Sequence, residues 1–64
     1  MSYYKMTLET TISIVYSPDD GGYWISEWQK DKPHKHRVSE GIYRTEQGAK
    51  KAIDLGCVKW LEWR

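Results

Sequence analysis

Four tryptophans and five tyrosines, with no phenylalanine, carry most of the chemistry in this chain, because each of these rings has a polar edge as well as an apolar face. Trp24 and Trp28 stand four residues apart, a spacing that puts both indoles on one face of an extended strand. Lys30, Lys32, Lys35 and Arg37 follow in the adjoining loop and strand, so rings and cations together form a candidate binding surface. Such a surface suits a protein interface, where Tyr, Trp and Arg are enriched, or a single strand of nucleic acid whose bases stack on indole. The protein interface is the favoured reading. Glu27, Asp31 and Glu40 dilute the cations, and a formal net charge of +1 gives little overall attraction for a polyanion.

The remaining reactive side chains have plainer readings. His34 and His36 alternate as strand neighbours do, but two histidines without a third ligand at a known spacing do not make a metal site. Asp19 and Asp20 sit beside Gly21 and Gly22, where adjacent carboxylates are usually solvated turn formers. Cys57 has no base near it in sequence and falls among apolar residues at helical spacing, so it reads as an inert core thiol. Asp20-Gly21-Gly22 precedes a strand instead of opening a helix, and so does not resemble a phosphate loop. No catalytic machinery is visible, and neither enzymatic activity nor a cofactor or metal is expected.

The elements that must position these groups follow from periodicity. Leu8 to Tyr16 alternates, with Leu8, Thr10, Ile12, Ile14 and Tyr16 on one face, and predicts a strand with one buried side. Ser17-Pro18-Asp19-Asp20-Gly21-Gly22 is the strongest turn signal, after which Tyr23 to Gln29 returns as the second strand. Aromatics on both faces leave its orientation open: Trp24 and Trp28 either face outward or pack under the helix against Trp60, with Tyr23 and Ile25 then exposed. Lys30 to Lys35 reads as a polar loop, and a third strand is expected from about His36 to Tyr43, bulged or ended near Gly41. Thr45 suits an N-cap and Glu46 the first turn of a helix whose apolar positions Ala49, Ala52, Ile53, Gly56, Cys57, Trp60 and Leu61 carry it to about Trp63. Gly56 instead as a stop before a short strand, Cys57 to Trp63, is the competing reading. The expected fold is α+β, a three-stranded antiparallel sheet in the order β-β-β-α with one C-terminal helix on one face. A single domain spans 1–64, with 1–6 a flexible N-terminus.

The segment Asp19-Asp20-Gly21-Gly22-Tyr23-Trp24 between two strands, then a third strand and a helix opening Thr45-Glu46-Gln47, resembles the N-terminal domain of HicB-like antitoxins. In element order the likeness runs from Thr10 to Leu61. Gln29-Lys30-Asp31-Lys32-Pro33-His34 replaces the family's Pro-Asp-Leu-Pro-Gly-like segment, and the chain has no room for the separate DNA-binding domain many such antitoxins carry. The resemblance implies a module that binds protein partners and dimerises.

Size points the same way. A chain of 64 residues removes only about 60 % of its unfolded surface from water, so burial and chain entropy nearly balance. One cysteine allows no internal disulfide, which leaves dense aromatic packing or self-association to add burial. The start of the chain has no apolar leader, and no stretch approaches the roughly 20 apolar residues of a membrane span. A reducing, cytoplasmic setting is expected, with a homodimer or another protein as partner, nucleic acid as the less favoured partner, and no membrane.

Overall fold

The computed structural model describes residues 2–64, and the fold is an α+β arrangement of one antiparallel sheet and one helix. Strands β1 (Ser2–Met6), β2 (Thr10–Ser17), β3 (Gly22–Gln29) and β4 (His36–Val38) lie in the order β1-β2-β3-β4, and helix α1 (Glu46–Leu55) packs on one face. The sheet therefore has four strands where three were expected. The additional strand is the stretch expected to be a flexible N-terminus: β2 would otherwise expose a full row of backbone donors and acceptors at its edge, and Ser2–Met6 satisfies them.

The hairpin of β2 and β3 is the centre of the fold. It pairs without interruption from Thr10 with Gln29 to Ser17 with Gly22, so Ile14 stands opposite Ile25 and Ser13 opposite Ser26. Of the two glycines in the turn, Gly21 takes the left-handed conformation (φ 69°). Gly22 serves a different need: a methyl built on it would sit 2.6 Å from the carbonyl oxygen of Tyr43. That close approach lets Tyr23 and Tyr43 exchange N–H to carbonyl bonds of 2.8 and 2.9 Å. The first hairpin strand begins at Thr10, later than the alternation suggested. Leu8 is 95 % exposed in the β1–β2 connection, where Thr7 Oγ1 accepts from the amides of Glu9 and Thr10.

Helix α1 starts where its cap requires. Thr45 is extended and its Oγ1 accepts from the Gly48 amide at 3.0 Å, while Glu46 sits in the positive first turn and pairs with Lys50 at 3.5 Å. The expected continuation to Trp63 does not occur. Gly56 adopts φ 68°, its amide and that of Cys57 turn back to the carbonyls of Ile53 and Ala52, and the helix ends in a left-handed glycine cap. From Cys57 the chain runs extended along β4. Ser39 faces Trp60, Leu61 donates to Val38, and His36 and Arg64 exchange bonds of 2.9 Å. The third strand is correspondingly short, His36–Val38 instead of His36 to Tyr43, because past Ser39 the chain leaves the β3 edge until Tyr43 meets Tyr23.

The core lies between sheet and helix and is small. Ile14, Ile25, Ala49 and Ala52 are the buried hydrophobic residues among those described, ringed by half-buried Tyr4, Tyr23, Tyr43 and Trp60. Cys57, expected in this core, is exposed because the helix has ended before it.

Candidate docking face

The hairpin register decides which face each tryptophan occupies. Ile12, Ile14, Ile25 and Glu27 point towards the helix side, so Thr11, Ser13, Val15, Trp24, Ser26 and Trp28 point away from it. Tyr3 and Met6 of β1 pair with Ser13 and Thr11, and His36 and Val38 of β4 with Trp28 and Ser26, which extends this second face across all four strands. No element of the described chain covers it. The packing of Trp24 and Trp28 against Trp60 is thereby overturned, since Trp60 lies over the opposite face.

Both indoles are held in place by hydrogen bonds. Trp24 Nε1 donates to Asp20 Oδ2 at 2.9 Å, and the same oxygen accepts from Ser17 Oγ at 2.8 Å. These two donors, the indole first, hold the Asp20 carboxyl below the usual aspartate range. Asp20 thus does more than form a turn: it ties the turn to the uncovered face. Trp28 Nε1 donates to the carbonyl of Pro33 at 3.1 Å, so the polar loop after β3 folds back to meet it. Indole has one donor and no acceptor, so with both donors engaged these two rings present only apolar π surface outward.

Beside Trp28 lies a small-residue saddle. Thr11, Ser13 and Ser26 floor a depression of about 300 Å³ walled by Tyr3, Met6 and Trp28. Ser13 is buried although it lies on the uncovered face, in the row between Tyr3 of β1 and Ser26 of β3. Tyr3, Met6 and Trp28 remain 65 %, 64 % and 39 % exposed. Along β1, β2 and β3 this face carries no carboxylate and no ammonium group; charge lies at its margins, with the Asp20 carboxylate at the turn and Arg64 beside the β4 edge.

The cations grouped with the tryptophans in sequence divide in space. Lys30 and Lys35 are exposed in the loop. Arg37, opposite Glu27 in the ladder, faces the helix side. Its Nε donates to Glu27 Oε1 at 2.6 Å, and its guanidinium stacks 4.6 Å from the Trp60 ring centre and 4.8 Å from that of Trp63. Lys32 reaches the same Trp63 ring, 5.0 Å from its centre. Arg37 and Lys32 therefore fasten the C-terminal segment to the sheet, a contact between distant parts of the chain that no local spacing announces. His34 and His36 are both exposed, and among the described residues no group of three His, Cys, Asp or Glu side chains gathers.

Among the described residues no helix is long and apolar enough to cross a membrane. No protein-family model matches the chain, and neither a curated protein nor a solved structure matches it.

Proposed function

We propose that this chain is a non-enzymatic protein-interaction module that pairs with a second copy of itself through the uncovered face of its sheet. The observation that carries this reading is the face itself: Trp24 and Trp28 are fixed by Asp20 and Pro33 and show no free donor, and Trp28 walls an uncharged saddle together with Tyr3 and Met6. Aromatic anchors are among the residues that dominate interface energetics, and ordering them beforehand lowers the entropy lost on docking.

A second copy is favoured as occupant for three physical reasons. A two-fold interface brings each surface against itself, which an uncharged face tolerates and a charged one does not. The chain exposes 4830 Å², against about 4300 Å² for a compact monomer of this mass, so it carries more surface than its size requires. Both sheet edges are also guarded against lateral pairing. β1 is bulged between Tyr3 and Lys5 and carries that lysine, and β4 is covered by the C-terminal segment. The resemblance to HicB-like antitoxins, a family that binds protein partners and dimerises, agrees with this reading. An exposed free thiol at Cys57 suits a reducing, cytoplasmic setting. Nucleic-acid stacking would want cations beside the indoles, whereas Arg37 faces the other side and Lys32 lies over Trp63.

The test is the mass of the chain in solution, by light scattering and sedimentation at about 100 µM, above the micromolar affinities of the weaker interfaces of about 1,600 Å². A dimer is expected for the wild type. A folded monomer is expected for Trp28→Ala, whose ring contributes more to the surface than to the core. A monomeric wild type, or a Trp28→Ala chain that still dimerises, refutes the reading. A fluorescent oligonucleotide titrated in parallel at two salt concentrations separates the nucleic-acid alternative, which would bind with steep salt dependence.

A further inference from the structure

Resting on the docking reading above, we infer that Asp20 is a positioning residue for that face: it sets the plane of the Trp24 indole and removes its one donor from the partner's reach. One oxygen, Asp20 Oδ2, accepts from both Ser17 Oγ (2.8 Å) and Trp24 Nε1 (2.9 Å). It therefore links the beginning of the turn to a ring on the sheet face, two residues past the turn's end. Its neighbour Asp19 stands exposed in the same turn, and no hydrogen bond or ion pair engages its side chain among the described contacts. Two adjacent carboxylates of one turn thus differ in their relation to the face, and only Asp20 bonds the Trp24 indole among the described contacts.

The physical argument is one of freedom and desolvation. A half-buried indole at a strand end samples several rotamers, each of which would have to be given up on docking. An N–H left free would also lose its water on docking wherever the facing surface offered no acceptor. The Asp20 bond removes both penalties before the partner arrives. The carboxylate itself stays in the exposed turn, at the rim of the face, where its charge remains hydrated.

Three variants of the full chain test this: Asp20→Ala, Asp20→Asn and Ser17→Ala. Each is followed by sedimentation for the dimer dissociation constant, by the Trp24 Nε1–H resonance and its exchange rate, and by melting temperature. Asp20→Ala is expected to weaken dimerisation about tenfold, the size of one lost charge-assisted hydrogen bond, and to accelerate Trp24 N–H exchange. Asp20→Asn keeps one oxygen able to accept from both donors and is expected to stay within about twofold of wild type. Ser17→Ala removes the bond internal to the turn but leaves the indole bond, so it is expected to lower the melting temperature without weakening the dimer. A dimeric wild type whose Asp20→Ala variant dimerises equally well, or whose Ser17→Ala variant weakens as much as Asp20→Ala, overturns the positioning role alone. A monomeric wild type overturns the docking reading, and the positioning role with it.

Discussion

Arg37→Ala probes the junction between the sheet and the C-terminal segment, and its cost can be worked from the contacts Arg37 makes. Glu27 is 7 % exposed, so removing its partner leaves a carboxylate that water can barely reach. Breaking a buried pair in this one-sided way costs about 3–5 kcal/mol, and the partial exposure of the arginine places this case at the lower end. Two guanidinium–indole contacts disappear as well, at about 0.5–1 kcal/mol each for sites near the surface. The expected loss is about 4 kcal/mol, set against a total stability of about 3–10 kcal/mol for a chain of this length. At about 4–8 °C per kcal/mol, the melting temperature should fall by 15 °C or more, and the variant should be partly unfolded at 37 °C. Urea and thermal denaturation followed by circular dichroism measure this directly. Arg37→Lys should recover only part of the loss, because an ammonium cannot stack flat between two indoles. The Glu27→Gln background supplies the decisive comparison, since there the uncompensated charge is gone and Arg37→Ala should cost only about 1–2 kcal/mol. If Arg37→Ala costs less than about 1 kcal/mol in the wild-type chain, or the same in both backgrounds, the junction does not depend on this pair.

Three further outcomes follow from local geometry. Gly56→Ala forces a side chain into φ 68° and should cost about 1–2 kcal/mol in urea denaturation, with Gly56→Asn intermediate. Gly22→Ala drives a methyl against the Tyr43 carbonyl and should cost about 2–3 kcal/mol, with faster amide exchange at Tyr23 and Tyr43 as the local signature. The Asp54 carboxyl is held below the ordinary aspartate range, first by the Tyr4 hydroxyl at 2.7 Å and then by Lys5 at 3.4 Å. Its folded pKa is thus depressed: the stabilisation is present above the unfolded value near about 4 and is lost as pH falls through the folded one. Melting temperature recorded from pH 6 down to 2 should decline less steeply in Asp54→Asn, and an unchanged slope would remove Asp54 from the acid response.

What could be read in advance was local. The turn from Ser17 to Gly22 and the Thr45 cap are written in residues that touch one another within a few positions, and both stand as expected. The helix end was harder. Trp60 and Trp63 share the Arg37 side, yet their spacing of three resembles a helical repeat. It arises because the step from His36 to Ser39 in β4 is matched by a step one residue longer, Trp60 to Arg64, and such a bulge in an extended segment shifts its alternation. The same irregularity between Tyr3 and Lys5 hides β1, whose Tyr4 and Lys5 both reach Asp54. On the uncovered face, the shared position of Trp24 and Trp28 followed from alternation. The separation of Arg37 from them followed only from the opposite Glu27, and the locking of the indoles from partners four and five residues away across a turn and a loop.

The two alanines beneath the sheet have a consequence for how this chain tolerates change. With Ala49 and Ala52 as the inward residues of α1, the gap between the layers is only about as deep as a methyl group and an isoleucine together, and a larger side chain at either alanine would lift the helix off the strands. Around this thin middle the perimeter is closed by the rings of Tyr4, Tyr23, Tyr43 and Trp60 together with Ile12, Ile53 and Val58. A random library of this chain should therefore find its freedom along the rim and almost none at its centre.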